Sequence, residues 1–498
     1  MKKYIITIVG LVLLLIVLIG GGVGHWFIST QISPSVTSPD YFDEVLTSYS
    51  DANLEAIDIL FGETITTNGR AMVDGNIVTV QQEGEYVISG STENGQVVVD
   101  AGEDEVKLVL NGANITNQTG AAIFIKASGD VEIYLAENSV SRLVDGVDYT
   151  PANDEEEQTA PLYSKSDLEI AGGENSVLNI IGNYNDGIVS KDDLEIKDVT
   201  INVKSVDDGI RGKDSVEIKD SVITIVAQGD AIKSDNINEI DRGVITIENS
   251  NLTIAAGADG ISGVNVVEIL SCTITITDAY EGIESKKITI HDGIIDITSR
   301  DDALNVSETQ EDVNAVISLI QRATGGGGKE RVVAGGELNV YGGTITLNSN
   351  GGDAFDSNGN AMITGGTLII NGPLKGGAPV DVNGDFLVSQ GTVIAVGHST
   401  RTQTPSASSA QMSLQVNFEE TQGPGTVLSL KDATGTEVFT FRPIKIFRSV
   451  MYSSADLVQG ETYSLLVDGE AYADLTLNET ITIHGEFAQT KKQVKRKL

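Results

Sequence analysis

The chain contains little of what disulfide-linked, zinc-binding and helical proteins are usually built from. Its 498 residues include one cysteine, Cys272, four histidines and nine prolines. A single cysteine excludes an intrachain disulfide, and one cysteine with four scattered histidines disfavours a zinc site or a thiol-based active site. Aromatic residues make up 5% of the chain and include one tryptophan, whereas glycine reaches 54 residues. This composition is typical of β-structure with many tight turns.

Positive charge is also scarce. Lysine and arginine number 32 against 71 aspartates and glutamates, which gives a formal net charge of −39. Such a surface repels nucleic acid, and we expect no nucleic-acid partner. The many carboxylates must be solvated or neutralised by cations. A site for a hard cation built from oxygen ligands is therefore compatible with the composition.

The longest run without charge lies at the N-terminus. It extends from Tyr4 to Gly24 behind two lysines, and its 21 residues match the thickness of a bilayer core at about 1.5 Å per residue. A secretory signal is the alternative, although its apolar core is usually shorter and a small-residue cleavage site should follow. We predict a membrane anchor or signal at residues 1–28, the anchor being a transmembrane helix, and a stalk at 29–60. The remainder is then expected on the extracellular face of the cell membrane, with the N-terminus inside, or secreted if the segment is cleaved.

A tripeptide of an acidic, a small and an apolar residue recurs along the middle of the chain. A unit of about 22 residues with occasional insertions is what one coil of a β-solenoid requires. The copies begin at intervals of 22, 22, 29, 22 and 21 residues, with one more copy further on: Asp186-Gly187-Ile188, Asp208-Gly209-Ile210, Asp230-Ala231-Ile232, Asp259-Gly260-Ile261, Glu281-Gly282-Ile283, Asp302-Ala303-Leu304 and Asp353-Ala354-Phe355.

The repeat predicts an all-β fold, a right-handed three-sided parallel β-helix with coils of about 22 residues. Two alternating apolar pairs and the apolar residue of the tripeptide give three short strands per coil. We place the β-helix at residues 61–397, a small β-rich C-terminal cap at 398–488 and a basic tail at 489–498. Two insertions interrupt the repeat, an acidic loop at Asp145–Thr159 and a short helix on an arm at Glu308–Arg331.

The acidic positions of the repeat predict a column of carboxylates along one edge of the β-helix. Neighbouring coils lie about 4.8 Å apart, where like charges repel by about 1 kcal/mol in water and roughly 3–4 kcal/mol at an effective dielectric of 20. Calcium, which prefers oxygen ligands, would cancel this repulsion. The alternatives are a simply hydrated edge or a neighbouring basic column of Lys165, Lys191, Lys213 and Lys233. The predicted calcium ligands are Asp186, Asp207, Asp208, Asp230, Asp259, Glu281, Asp301, Asp302 and Asp353.

Bound calcium with open coordination positions would let so acidic a protein bridge to uronate carboxylates. A neutral glycan would instead require aromatic rings on which to stack, and the few tyrosines in turns form no obvious platform. Packing and charge balance are the alternative roles of all these side chains. The predicted glycan contacts are Tyr184, Lys191, Arg211, Lys213 and Tyr280.

The segments Leu108–Lys126, Tyr184–Ile196 and Asp207–Ile218 resemble the bacterial extracellular carbohydrate-binding domain family. That family is built on a polysaccharide-lyase-like parallel β-helix, and the resemblance extends from about Ile65 to Gly485. It implies an association with calcium and with cellulose or acidic sugars such as polygalacturonate, without proven catalysis. The sequence departs from many members in having no cysteine behind the N-terminal apolar run, which alters the expected anchor. The resemblance supplies no ligand set for the metal.

The leading interpretation is a monomeric, extracellular, calcium-dependent protein that binds acidic glycans such as polygalacturonate, cellulose, or both. A polysaccharide lyase is the alternative, in which calcium would acidify the α-proton of a uronate and Arg211 or Lys213 would abstract it. The third interpretation is a structural surface adhesin whose rod is rigidified by calcium. Three results would distinguish them. Retention of an acidic glycan indicates the binding protein, an unsaturated uronide product indicates the lyase, and a rise in melting temperature without glycan retention indicates the adhesin.

Overall fold

The structure is a computed structural model that describes residues 56–149, 158–239, 241–307, 335–373, 375–398 and 402–485. The predicted anchor, most of the predicted stalk, residues 150–157 of the acidic loop, the Glu308–Arg331 insertion and the basic tail lie outside these ranges. Strand β1 begins at Ile57, inside the range predicted as a stalk. Within the described ranges there is no helix long and apolar enough to cross a membrane.

The described residues form strands throughout and contain no helix. The strands up to the acidic loop are β1 (Ile57–Phe61), β2 (Thr66–Thr67), β3 (Met72–Asp74), β4 (Ile77–Val80), β5 (Gly84–Thr92), β6 (Gln96–Asp100), β7 (Val106–Leu110), β8 (Asn114–Thr116), β9 (Ile123–Ala127), β10 (Val131–Leu135) and β11 (Val140–Val144).

The central strands carry the repeat. They are β12 (Leu162–Ser164), β13 (Leu168–Gly172), β14 (Val177–Ile181), β15 (Ile188–Ser190), β16 (Asp193–Lys197), β17 (Thr200–Lys204), β18 (Ile210–Gly212), β19 (Ser215–Lys219), β20 (Val222–Ala227), β21 (Ile232–Ser234), β22 (Val244–Glu248), β23 (Asn251–Ala256), β24 (Ile261–Leu270), β25 (Cys272–Asp278), β26 (Ile283–Ile290), β27 (Gly293–Ser299) and β28 (Leu304–Val306).

The remaining strands complete the solenoid and the C-terminal region. They are β29 (Glu337–Val340), β30 (Thr344–Ser349), β31 (Phe355–Ser357), β32 (Asn360–Ile363), β33 (Thr367–Asn371), β34 (Val380–Val382), β35 (Phe386–Val388), β36 (Thr392–Gly397), β37 (Ser413–Gln422), β38 (Leu428–Lys431), β39 (Glu437–Phe441), β40 (Phe447–Ser454), β41 (Thr462–Val467), β42 (Glu470–Thr476) and β43 (Ile481–His484).

Strands that lie three apart in the chain pair in parallel. For example, β12 pairs with β15, β13 with β16 and β14 with β17. This pattern gives three strands per coil over about 12 turns and confirms the predicted parallel β-solenoid. We call the columns after these strands: the short-strand column contains β12 and β15, the middle column β13 and β16, and the third column β14 and β17. The right-handed winding stays a prediction.

The core of the solenoid is a continuous stack of aliphatic side chains. In the third column Ile223, Leu252 and Ile274 occupy equivalent inward positions and are fully buried, because residues two apart in a strand share one face. Burying each such side chain stabilises the fold by about 1.5–3 kcal/mol. Cys272 lies in the same core as a free thiol.

A left-handed turn joins the middle and third columns in coil after coil. Asparagine and aspartate tolerate this backbone conformation because their short polar side chains bond locally, and glycine adopts it freely. This accounts for the Asn, Asp and Gly residues that recur between apolar pairs. The residues with positive φ in this turn are Asn138, Asn175, Asp198, Asp220, Asn249 and Ser271 at one position, and Gly293, Gly343, Gly366 and Gly391 one position later.

The parallel winding ends at β36, which pairs antiparallel with β40. Strand β40 also pairs with β37, and β38, β39, β41 and β42 form a separate four-stranded antiparallel sheet. Phe447, Tyr452 and Leu465 belong to a second buried cluster shared by these strands. The predicted β-rich region after the repeat thus has a core of its own.

Candidate functional site

The acidic residues of the repeat lie in the turn that leads from each third-column strand to the next short strand. For example, Asp208 follows β17 and precedes β18. Because the short strands are paired in register, the structure brings these residues together in a column. We call this set the ladder: Asp186, Asp208, Asp230, Asp259, Glu281, Asp302 and Asp353.

Hydrogen bonds from backbone N–H groups to side-chain carboxylates connect the residues of the ladder, and the sequence did not reveal them. One carboxylate oxygen accepts the N–H of the ladder residue in the next coil, at 3.2 Å from Asp208 to Asp186, 2.9 Å from Asp230 to Asp208 and 2.9 Å from Asp259 to Asp230. The N–H of Glu281 donates to Asp259 in the same way at 3.2 Å. The carboxylates of Asp186, Asp208, Asp230 and Asp259 therefore each cap a turn of the next coil, which leaves the second oxygen of each for other partners.

The second oxygens have partners within the chain in the N-terminal part of the ladder. The Lys233 ammonium lies 3.2 Å from Asp208 and 2.7 Å from Asp230. At Asp186 the hydroxyl of Thr159 donates to the second oxygen at 2.9 Å. These three carboxylates are buried, and burial raises the pKa of Asp186 to about 6.

A second column decides the charge next to the ladder. It contains the residue three positions after each ladder residue, which is the outward position of the short strand, and it extends one coil further to Asp381. We call it the flanking column. Its members are Val189, Arg211, Lys233, Ser262, Glu284, Asn305, Asp356 and Asp381. The column thus changes from basic to acidic after Ser262.

Three carboxyl groups meet where the flanking column becomes acidic. Asp259, Glu281 and Glu284 each place a carboxylate oxygen within 4.8 Å of the other two. None of the three forms an ion pair with any described residue. Burial, followed by the neighbouring carboxylates, raises the pKa of Asp259 to about 7; burial, then Glu284 and Asp259, raises that of Glu281 to about 8. We call this group the first acidic cluster.

Asn305 adds a neutral oxygen beside the first acidic cluster. Its amide nitrogen donates to the Glu281 carboxylate at 2.7 Å. The residue is 8% exposed, and its side-chain oxygen has no hydrogen-bond partner among the described residues. A buried carbonyl oxygen without a donor costs roughly 1–3 kcal/mol, so its position next to three carboxylates calls for a physical reason.

A second acidic cluster lies further along the same edge. Asp353, Asp356 and Asp381 also bring carboxylate oxygens within 4.8 Å of one another. Asp302, one coil before Asp353, has its pKa raised to about 7, first by burial and then by neighbouring carboxylates. The backbone N–H of Asp353 donates to Asp302, which continues the hydrogen-bonding pattern of the ladder.

A third group of carboxylates lies at a different corner and was missed in the sequence. Asp167 and Asp192 directly precede middle-column strands, and Asp193 is the first residue of β16. The Arg242 guanidinium binds Asp193 at 2.7 Å and lies 3.7 Å from Asp214. Here the chain provides its own cation, as Lys233 does in the ladder.

The remaining predicted site residues have defined surroundings. Asp207 is exposed. Tyr280 is 49% exposed, and hydrogen bonding with the Asp301 carboxylate raises its pKa. Tyr184 stacks on Tyr149 with ring centroids 4.2 Å apart. Tyr280 directly precedes Glu281 and is therefore the predicted glycan contact next to the first acidic cluster.

The predicted basic contacts are engaged by neighbouring side chains. Lys191 lies over the Tyr163 ring at 5.8 Å, and Lys213 is 3.6 Å from Asp214. Arg211 binds Asp235 at 2.5 Å. Its pKa is raised because the surrounding carboxylates outweigh the opposing effect of burial.

Four residues of the acidic clusters were not predicted: Glu284, Asn305, Asp356 and Asp381. Glu284, Asn305 and Asp356 share one sequence signal, a fixed offset of three residues from an acidic residue of the repeat. A ladder residue is missing before Asp381, where Ala378 occupies the position, so the repeat alone does not lead to that residue.

Residues 74–314 match the model of the family described as carbohydrate-binding domain-containing protein. A curated protein of that description from Acetivibrio thermocellus is 37% identical over 130 residues, which are 26% of this chain and 45% of the relative. The chain thus spans less than half the length of that relative. A solved structure of a polysaccharide lyase-like protein from C. thermocellum, a gadolinium derivative, is 32% identical with a TM-score of 0.42, over 44% of this chain and 91% of that one.

Proposed function

We propose that this chain, which belongs through residues 74–314 to the carbohydrate-binding domain-containing family, binds acidic polysaccharide through calcium held at the acidic edge of its solenoid. The observation that carries the proposal is the change of sign in the flanking column. Lys233 faces the ladder in one coil, and Glu284 takes the equivalent position two coils later. We further propose that the protein acts at the cell surface or as a secreted protein.

The first acidic cluster has the chemistry of a calcium site. Calcium prefers carboxylate and carbonyl oxygens in flexible geometry, and Asp259, Glu281 and Glu284 supply three carboxylates with one oxygen each within 4.8 Å of the others. Their mutual repulsion is otherwise relieved only by protonation, because none of them has a basic partner among the described residues. The unpartnered oxygen of Asn305 fits the same site as a neutral ligand.

The cluster lies at the edge of the solenoid, where a polymer has access. When bound, calcium would offer its open coordination positions to the carboxylates of a uronate chain. Tyr280 would add a ring face for a sugar, since it is 49% exposed and adjacent to Glu281 in the chain. The second acidic cluster lies along the same edge, so that one polysaccharide running parallel to the solenoid axis would contact both.

The lyase alternative gains no support from Arg211 or Lys213. A general base must be able to lose its proton near the working pH, whereas the Arg211 guanidinium is bound to Asp235 at 2.5 Å and its pKa is raised. Lys213 lies beside Asp214. The adhesin alternative shares the calcium site and differs in predicting no glycan retention.

Retention of the full chain on immobilised polygalacturonate tests the proposal, first with calcium and then with a chelator. We expect retention with calcium only, and a loss of at least tenfold in the variant with both Glu281→Gln and Glu284→Gln. The matched control is Glu437→Gln with Glu470→Gln, which removes the same charge from exposed positions of the C-terminal sheet. Equal retention with chelator, or equal retention of the two variants, would refute calcium-dependent binding at this cluster.

A further inference from the structure

We propose that the basic tail, residues 489–498, lies back along the acidic edge of the solenoid and sets its last cations against the first acidic cluster, in competition with calcium. The tail is outside the described residues. This inference rests on the calcium-dependent function proposed above and adds a regulator within the same chain. Half of the ten residues of the tail are basic: Lys491, Lys492, Lys495, Arg496 and Lys497.

The ladder already uses a lysine in the role proposed for the tail. The Lys233 ammonium lies 3.2 Å from Asp208 and 2.7 Å from Asp230, so that one side-chain cation serves two ladder carboxylates. Glu284 takes the equivalent position of the flanking column two coils later. There the first acidic cluster has three carboxyl groups and no ion pair among the described residues. A lysine from elsewhere in the chain would complete this coil as Lys233 completes the other.

A second observation, independent of the carboxylates, points to a cationic donor at the cluster. The side-chain oxygen of Asn305 is buried there and has no hydrogen-bond partner among the described residues. The side chains that do donate to the cluster are neutral, namely the Asn305 amide at 2.7 Å from Glu281 and the Ser307 hydroxyl at 2.6 Å from Glu284. An ammonium carries three donors and no acceptor. It would therefore satisfy the Asn305 oxygen and neutralise the carboxylates at the same time.

The last strand directs the tail toward this edge. Strand β43 pairs in parallel with β37, β37 pairs antiparallel with β40, and β40 pairs antiparallel with β36. Strand β43 therefore runs in the same direction as β36, the last strand of the third column. Third-column strands run toward the turn that carries the ladder. The chain thus leaves β43 at Gly485 on the ladder side of the sheet.

The tail is long enough to reach the first acidic cluster. Seven inter-strand spacings separate β43 from β25, the strand that leads to Glu281, by way of β37, β40, β36, β33, β30 and β27. At about 4.8 Å each they add up to about 34 Å. Lys495 and Lys497 are ten and twelve residues beyond Gly485, and an extended chain of that length spans about 33–43 Å. Lys492, seven residues beyond Gly485, reaches about 25 Å at most and stops short of the cluster.

Tethering makes this contact effective although each ion pair is weak. Exposed ion pairs contribute little one by one, but a segment of the same chain acts at an effective concentration in the millimolar range. The tail is also drawn to the edge by the net charge of −39 on the whole chain. Calcium must displace the tail from the cluster. The tail therefore raises the calcium concentration at which the edge becomes available to a polysaccharide.

Carbodiimide cross-linking of the full chain in chelator tests the contact. The reagent joins an amine to a neighbouring carboxylate, and we expect mass spectrometry to find Lys495 or Lys497 linked to Glu281 or Glu284. Calcium should reduce these links. Their absence in chelator, or links only between copies in a mixture of isotope-labelled and unlabelled chains, would overturn the inference. Because cross-linking requires neither calcium nor glycan, this failure is distinct from a failure of the proposed function.

Titration calorimetry with calcium measures the competition. Neutralising the last three cations with Lys495→Gln, Arg496→Gln and Lys497→Gln should lower the apparent dissociation constant of calcium about fivefold, the effect of two or three exposed ion pairs. The matched control removes the same charge from exposed positions in other coils and should leave the constant unchanged. It consists of Arg70→Gln, Lys126→Gln and Lys219→Gln.

A shortened tail separates reach from charge. Deleting the uncharged residues 487–490, 493 and 494 keeps every cation and leaves Lys497 six residues beyond Gly485, a span of about 22 Å at most. This variant should bind calcium as tightly as the one with the neutralised tail. Equal calcium affinity of the shortened chain and the parent, or an equal effect of the control triple, would overturn the inference. A parent that binds no calcium would instead refute the proposed function, and the cross-links would still decide the contact.

Discussion

Replacing Glu284 by lysine should convert a coil that requires an external cation into one that carries its own. Glu284 and Lys233 occupy the same position of the flanking column, with Ser262 between them. In the Lys233 coil one ammonium lies within 3.2 Å of both Asp208 and Asp230. A lysine at position 284 would face Asp259 and Glu281 in the same arrangement.

The expected gain follows from the distances in the first acidic cluster. Carboxylates within 4.8 Å of each other repel by roughly 3–4 kcal/mol at an effective dielectric of 20. Because Glu284 is half-buried, solvent screening reduces the gain to about 2 kcal/mol. Without calcium, Glu284→Lys should therefore unfold a few degrees above the parent. Calcium at about 100 times its dissociation constant should raise the free energy of unfolding of the parent by about 2.7 kcal/mol. The variant should lack the part of this calcium stabilisation that comes from the first acidic cluster.

Differential scanning calorimetry with calcium and with chelator measures both effects. The control is Glu437→Lys, which changes the net charge equally at an exposed strand position of the C-terminal sheet and should leave the calcium-induced shift intact. A variant at Glu284 that is less stable than the parent in chelator would contradict the electrostatic argument. An unchanged calcium shift would show that the first acidic cluster holds no calcium.

Three further changes test other parts of the structure. Lys233→Met should lower the free energy of unfolding in urea by about 3 kcal/mol, because it leaves two buried carboxylates unpaired. The control Lys191→Met should lower it far less, and equal losses in the two variants would contradict the role of Lys233. Burial raises the pKa of Asp145 to about 6, so its contribution to stability is greatest below pH 4 and is lost as the pH rises through 6. Between pH 4.5 and 8 the free energy of unfolding of Asp145→Asn should therefore rise by about 2–3 kcal/mol relative to that of the parent. Parallel curves of unfolding free energy against pH for the two proteins would refute this. Tyr280→Ala should lower retention on polygalacturonate several-fold without altering the calcium-induced shift in calorimetry, and a reduced shift would instead place the ring in the metal site.

The fold was predictable because the repeat constrains many residues at once. The same offset carried an apolar residue in every coil, as at Ile201, Ile223 and Leu252, and the structure buries all three. An acidic residue at one offset likewise predicted the ladder. The hydrogen bonds of the ladder could not be predicted, because periodicity places a residue at an edge but does not say which backbone N–H its carboxylate will accept.

The basic column expected from the sequence was assigned incorrectly. It grouped Lys191 and Lys213, which lie five residues after a ladder residue, with Lys233, which lies three residues after one. Of these three lysines, Lys233 alone forms a described ion pair with ladder carboxylates, since Lys191 lies over Tyr163 and Lys213 contacts Asp214. Positions two apart in a strand face the same side, yet only the position closer to the turn contacts the ladder carboxylates. Counting the offset from the acidic residue would have separated the two groups.

The chemistry of this edge is decided by the second oxygen of each ladder carboxylate. The first oxygen accepts the N–H of the next coil whether the neighbour is basic or acidic, as at Asp208 and Asp259 alike. The second oxygen meets an ammonium at Asp208, whereas Asp259 has a carboxylate oxygen within 4.8 Å of one from Glu284. Carboxyl groups this close favour the uptake of a proton or a cation. An edge that served only to cap turns would not need this arrangement, because the coil with Lys233 caps its turn equally well.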